Sequence, residues 1–348
     1  MSIPTRQTSI KELADLIGAE IVGQSDAYIS GIATLESAKA LDLSFFANRK
    51  YHKFLLATKA SIVILHPDDV NSCPTNAILA DDPYLAYAKI ATWLTKKEAK
   101  KTEIASSAII ANGVTLGKNV TIDSHVSIGS EVIIGDNVHI HAGCVIAEAV
   151  SIAHNTIIYP NVVIYTGVTI GAHCIIHSGA VIGSDGFGIA NEQGEWLKVP
   201  QLGGVIIGDR VEIGANTTID RGAIEDTFIA EGVKLDNLIQ IAHNVKIGKN
   251  TAIAGCVGIA GSTTIGQYCA IGGGAGILGH LSIADHVHIT ATSLVTKSVS
   301  KAGVYSSGTP LQENAQWHKN FVRFKQLDKM YRCVSELDRQ LHELDKRK

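Results

Sequence analysis

The chain carries no excess charge of either sign: 30 lysines and arginines stand against 33 aspartates and glutamates in 348 residues, a formal charge of -3. That balance excludes wholesale binding to nucleic acid or to an anionic membrane. No apolar run approaches a membrane span, and the opening MSIPTRQTSIKELADLIGAE lacks the apolar core of a signal peptide. A soluble, cytoplasmic protein is expected. No CxxC pair occurs among the six cysteines, Cys73, Cys144, Cys174, Cys256, Cys269 and Cys333. They are expected as reduced packing residues, neither disulfides nor metal ligands. Aromatics are scarce at 5% and prolines number seven, whereas glycines number 33. This is unlike an ordinary mixed domain. Abundant isoleucine and glycine suggest short β segments alternating with tight turns.

What is present is a period. From Ile104 to Ile182 an aliphatic residue recurs every six positions, through Ile110, Leu116, Ile122, Ile128, Ile134 and Ile140. The register resumes at Ile207, Ile213 and Ile219, slips by four, and runs on from Ile229 to Val295. A helix cannot place a six-residue period on one face, and a flat sheet would use a period of two. Six residues per side is the mark of a parallel β-helix of hexapeptide repeats. Three sides make a coil of 18 residues, and coils stack about 4.8 Å apart. The expected fold is mainly β: a parallel β-helix over 104–305, with an N-terminal α/β domain over 1–103 and a C-terminal helical extension over 306–348.

Residues 183–206, GSDGFGIANEQGEWLKVPQLGGVI, leave the register. A loop or hairpin is expected there, favoured as a flap over a binding cleft rather than a tolerated insertion. In the first domain SIKELADLIG predicts a helix capped by Ser9, with Ile10, Leu13, Leu16 and Ile17 on one face. ASIVIL predicts a buried strand, DPYLAYAKIATWL a second helix, and KKEAKKTE a charged exit toward the prism. Near the end, Leu327, Val334 and Leu341 fall seven apart, as do Met330, Leu337 and Leu344, an a/d seam. The seam suits the chain's own prism or copies of itself, and a homotrimer fits a three-sided prism. Lys319, Arg323, Lys325, Lys329 and Arg332 crowd the first half of this helix, as a solvated face or a dock for an acidic partner protein.

The coil also serves as a ruler. Gly261 lies one coil after His243, and Gly279, beside His280, lies two coils after it. His243, Gly261 and His280 therefore form a column spanning about 10 Å. An imidazole is a ready general base, and a glycine one coil along can offer its N–H to an oxyanion. That suits acyl transfer without a covalent enzyme nucleophile. Spacing alone does not single out His243, because His125, His139, His141, His154, His173, His177, His286 and His288 also decorate the repeat. Most are expected as turn or surface residues. The pairs His139/His141 and His286/His288 lie about eight coils apart, too far to share zinc within one chain. No metal is expected.

The segments GSDGFG, VIIGDRVEIGANTTIDRGA, LDNLIQIAHNV and GVYSSGTPLQENAQW, with FFANRKY near the start, closely resemble the UDP-3-O-(3-hydroxyacyl)glucosamine N-acyltransferases of lipid A biosynthesis. The resemblance spans the chain and implies coils that wind left-handed. It further implies a homotrimer moving a 3-hydroxyacyl group from acyl carrier protein to the 2-amine of a UDP-glucosamine derivative. No cofactor is implied beyond the phosphopantetheine carried by the donor. On the matching motifs, His243 would be the base, Gly261 the oxyanion glycine, and His280 a residue placing sugar or phosphate. Asp236 and Asn237 would tune the base or contact substrates, and Leu294 would lie along the acyl groove. Phe45, Asn48 and Tyr51 would clamp uracil, with Arg49 replacing a proline common in that motif and so altering only the loop's stiffness. The rivals are O-acyl transfer to UDP-N-acetylglucosamine, acetyl-CoA-dependent sugar acetylation, and a non-catalytic β-helix that binds surfaces or ice. The last leaves residues 1–103, the flap and the basic tail unexplained.

Overall fold

A computed structural model describes residues 3–95 and 103–346, with side chains from residue 6 onward, so nearly all of KKEAKKTE lies outside the described residues. The chain divides into two compact units, Met1–Lys100 and Lys101–Lys348.

The first unit is built on a six-stranded sheet. Its three central pairings, joining Tyr28–Ile32, Asp42–Phe46, Ile62–Leu65 and Asn76–Leu79, are parallel. Antiparallel strands Ile3–Ser9 and Glu20–Val22 close the two edges. Ile62–Leu65 is wholly buried, which accounts for its unbroken apolar run. Helix Ile10–Ile17 opens with a capping box: the Glu12 amide donates to Ser9 Oγ at 3.2 Å, and the Ser9 amide donates to Glu12 Oε2 at 3.0 Å. Gly18, at φ 67°, ends it. Ile10, Leu13 and Ala14 face the core, whereas Leu16, expected there, is exposed. Helix Pro83–Leu94 is capped by Asp82, which accepts from the Tyr84 and Leu85 amides.

The second unit is the parallel β-helix. Two-residue strands stack into three parallel sheets of ten, nine and ten strands. Each aliphatic residue of the period lies on its counterpart one coil on, as Ile128 does on Ile146 and Ile241 on Ile259. The isoleucines fill one continuous core. At corner after corner a residue takes positive φ, among them Asn119, His125, Asn137, Asn155, His173, Asn244, His280 and His286. Asparagine and histidine tolerate that conformation better than bulky or branched residues. Four of the histidines are thus corner residues, His280 included.

Of the cysteines, Cys144, Cys174 and Cys269 are buried packing residues, and burial pushes their thiols above the ordinary range. Cys256 and Cys333 are exposed, contrary to expectation, because Cys256 occupies a corner at φ 61° and Cys333 lies on the terminal helix. That terminal segment forms two helices, Asn314–Phe324 and Leu327–Asp345. All six residues of the heptad seam are exposed. No helix among the described residues is long and apolar enough to cross a membrane.

Candidate active site

Both departures from the six-residue period meet at His243. The first, the excursion after Ser184, contains an exposed antiparallel hairpin, Ile189–Glu192 with Glu195–Lys198. Its entry passes so close to the histidine that a Cβ on Gly186 would stand 2.7 Å from His243 Cβ. Its exit is tied to the second departure, Leu202 and Gly203 donating to the carbonyls of Ala223 and Gly222. Gln201, buried beside Gly186, has an Oε1 with no hydrogen-bond partner among the described residues. The second departure is the loop Arg221–Asp226, where the register slips by four. Asn244 fastens it, accepting from the Ala223 amide through Oδ1 at 3.0 Å and donating to the Glu225 carbonyl through Nδ2 at 2.7 Å.

Those two bonds fix which end of the Asn244 amide is oxygen. His243 Nδ1 lies 3.0 Å from that oxygen, so in the neutral ring Nδ1 carries the proton and donates. The lone pair is therefore on Nε2. Nε2 faces Gly261, where a Cβ would stand 2.6 Å from both Nε2 and Cε1. Only glycine leaves the ring its place.

The Gly261 amide is free for a reason visible elsewhere in the prism. The residue two after the aliphatic begins each corner, and its N–H points along the stack. Several such amides donate to an aspartate at the same position one coil on: Lys118 to Asp136 at 2.6 Å, Ala172 to Asp209 at 2.7 Å and Gln267 to Asp285 at 2.7 Å. One coil on from Gly261 that position is Gly279, which has no side chain to reach back. The Gly261 N–H has no acceptor among the described residues, while its carbonyl accepts from the His280 amide at 3.0 Å. An unspent donor beside an unprotonated imidazole nitrogen can hold a developing oxyanion.

A buried carboxylate completes the surroundings. Asp220 accepts from Ser184 Oγ at 3.2 Å and Gln240 Nε2 at 2.9 Å. Burial pushes its carboxyl above the usual aspartate range, opposed by those two hydrogen bonds and by the positive charge His243 can carry. When ionised it is a negative charge that acts on His243. Asp236 and Asn237 lie elsewhere, on the corner that enters strand Gln240–Ile241, whereas His243 is on the corner that leaves it. Asp236 accepts from the Gly255 amide at 2.9 Å and Asn237 from the Ala215 amide at 2.7 Å; neither bonds to His243. Both line an open groove of about 630 Å³ with Lys234, Glu212 and His288. Leu294 ends an outer column that runs Gln240, Gly258, Gly276, Leu294, and its Cδ1 lies over Gly276. The paired glycines leave a trough that Leu294 closes.

In the first unit, Phe45, Asn48 and Tyr51 line one cavity of about 460 Å³, with Ser44, Phe54 and Tyr84. Phe45 is braced by Tyr87, the rings stacked 4.2 Å apart. Asn48 caps the short 3-10 helix Arg49–Tyr51 by accepting from the Lys50 amide at 3.0 Å, so a hydrogen bond orders the segment where a proline is absent. Ser44 Oγ is buried there with no partner among the described residues.

The chain also matches known families and relatives. A family profile described as UDP-3-O-(3-hydroxymyristoyl) glucosamine N-acyltransferase, LpxD, matches residues 26–93, and one for bacterial transferase hexapeptides matches 113–148 and 149–184. A protein of Xanthomonas axonopodis pv. citri named UDP-3-O-acylglucosamine N-acyltransferase is 53% identical over 322 residues, 92% of this chain and 96% of that protein. One of the same name from Coxiella burnetii is 45% identical over 332 residues, covering 95% and 97%. Among solved structures, the UDP-N-acetylglucosamine O-acyltransferase of Moraxella catarrhalis is 25% identical, covers 66% of this chain and 82% of that one, and has a TM-score of 0.44. A hexapeptide prism whose relatives over nearly its whole length are acyltransferases places this chain in that class of enzyme. It belongs to the UDP-3-O-acylglucosamine N-acyltransferase family.

Proposed function

We propose that the protein transfers a 3-hydroxyacyl group from an acyl carrier protein thioester to the 2-amine of UDP-3-O-(3-hydroxyacyl)glucosamine, a step of lipid A biosynthesis. The observation that carries this reading is the Nε2 lone pair of His243 beside the uncapped Gly261 amide. The amine attacks the thioester carbonyl as Nε2 takes its proton, and the carbonyl oxygen, now negative, accepts from Gly261 N–H. Collapse breaks the carbon–sulfur bond, and the imidazolium returns the proton to the departing phosphopantetheine thiolate. Ionised Asp220 steadies the imidazolium in between. No enzyme nucleophile and no resident cofactor or metal takes part.

Uracil is read in the cavity of the first unit. Phe45 and Tyr51 supply ring faces, and because Asn48 Oδ1 is engaged by Lys50, its Nδ2 is the group offered to a pyrimidine carbonyl. Asn48→Ala is expected to raise KM for the UDP-sugar about 10-fold, the loss of one hydrogen bond, with kcat nearly unchanged, as steady-state kinetics would read. His280 places the sugar or phosphate, Asp236 and Asn237 contact substrate from the groove they line, and the glycine trough ending at Leu294 takes the acyl chain.

The working form is a cytoplasmic homotrimer. The exposed heptad residues Val334, Leu337 and Leu341 support this, since such a seam is stable when paired with its copies. The basic face from Lys319 to Lys329 docks the acidic carrier protein; Arg332 is already paired with Asp328 at 2.9 Å. The test is product analysis by mass spectrometry. Purified protein is given 3-hydroxyacyl carrier protein with either UDP-3-O-acylglucosamine or UDP-N-acetylglucosamine. An amide formed only on the first supports the reading; an ester on the second, or acetyl transfer from acetyl-CoA, would replace it.

A further inference from the structure

We propose that Asp123, His139 and His141 form a binding site for a divalent transition-metal ion of the zinc class. Histidine pairs on distant coils cannot share an ion, but one pair meets an aspartate one coil back. Asp123 follows Ile122, His141 follows Ile140, and those two isoleucines pair in register, as do His139 and Thr121. The stacking of the prism, not a loop, brings the three side chains together.

Their ligand atoms lie as a metal would require. Asp123 Oδ2 is 3.3 Å from His139 Nε2 and 3.0 Å from His141 Nδ1, and all three atoms lie within 4.8 Å of one another. A tetrahedral ion with bonds of about 2.0–2.1 Å sets neighbouring ligand atoms about 3.3 Å apart. The three side chains are 20%, 22% and 28% exposed, which leaves an approach for the ion and a fourth position for water. The ring orientations are held from behind. His141 stacks on Tyr159 at 5.1 Å, and Tyr159 stacks on His177 at 5.0 Å.

Two imidazole nitrogens with one carboxylate oxygen favour zinc, cobalt or nickel over magnesium or calcium. Without an ion, both rings would have to donate to one carboxylate oxygen from planes only 3.8 Å apart at their centroids. With an ion, both nitrogens offer lone pairs and their protons sit on the outer nitrogens. The site lies four coils before Asp236 along the same corner, by the pairings of Ile140 through Ile158, Ile176 and Ile213 to Leu235. It is therefore a clip on the early coils and takes no part in acyl transfer.

The test uses the full chain, stripped of metal and titrated with zinc by calorimetry, with cobalt absorption as a second readout. One ion per chain is expected at roughly micromolar affinity or tighter, with cobalt bands of tetrahedral intensity. Asp123→Asn and His141→Gln, which remove direct ligands, should each weaken binding by more than the roughly 10- to 100-fold that loss of an outer-shell partner costs and abolish the rise in melting temperature that zinc gives the wild type. His286→Gln, at an exposed corner, should change neither. Circular dichroism and acyl transfer confirm that each variant is folded. Absence of saturable zinc uptake would overturn the proposal, and so would uptake unchanged in Asp123→Asn or reduced equally in His286→Gln.

Discussion

His243→Ala is expected to lower kcat about 10³-fold, the middle of the range for loss of a positioned general base. The fold should survive. His243 is half-buried on a corner, contributes nothing to the isoleucine core, and its own carbonyl remains to accept from the Ser262 amide. Residual turnover comes from the Gly261 amide and from substrate already deprotonated in solution. KM for the UDP-sugar should change little, because the cavity proposed for uracil lies in the first unit. A melting curve beside the kinetics separates this outcome from unfolding. Loss of activity with a collapsed melting transition would remove the basis for calling His243 a base.

Gly261→Ala is expected to cost about 10²-fold in kcat, the scale of a single misplaced catalytic contact. The N–H is still present in alanine, and Gly261 is not among the residues of positive φ, so the backbone accepts a side chain. The damage is steric. A methyl 2.6 Å from His243 Nε2 and Cε1 must push the imidazole away, breaking its bond to Asn244 or turning Nε2 from the amine. Binding should be nearly unaffected, so the loss appears in kcat and not in KM. Crystallography of the variant should find the ring displaced. Full activity in Gly261→Ala would mean the ring has room to move and the close approach is incidental.

The prism was legible because its constraint is one-dimensional. An aliphatic residue every six positions fills a three-sided core, and nothing else uses that period. The corner histidines were legible only in bulk: that His280 and His286 sit at positive φ, and His243 one residue before such a position, depends on corner geometry that the apolar period does not report. The four-residue slip after Ile219 read as an irregularity. It is the loop that holds Asn244, and through Asn244 it sets the tautomer of His243. A signal for the free Gly261 amide was present, since Asp136 and Asp285 stand where Gly279 stands, two residues after the aliphatic. Asp220 could not be picked out, because one aspartate among many shows neither its burial nor its neighbours. Asp236 shares a motif with His243, yet the strand Gln240–Ile241 between them puts it on another corner. That Asp123 stands against His139 and His141 follows from the 18-residue stacking and not from the spacing of the histidines alone.

The account stands on His243 being the proton acceptor. Its most direct test is kcat at saturating donor and acceptor, measured from acid to neutral pH for the wild type and His243→Ala. The substrate amine titrates in both proteins, so its contribution is common. The wild type is expected to lose activity more steeply toward acid than the variant, by up to a further tenfold per pH unit, the mark of a general base present in one protein and absent from the other. Parallel profiles across the range would contradict the account.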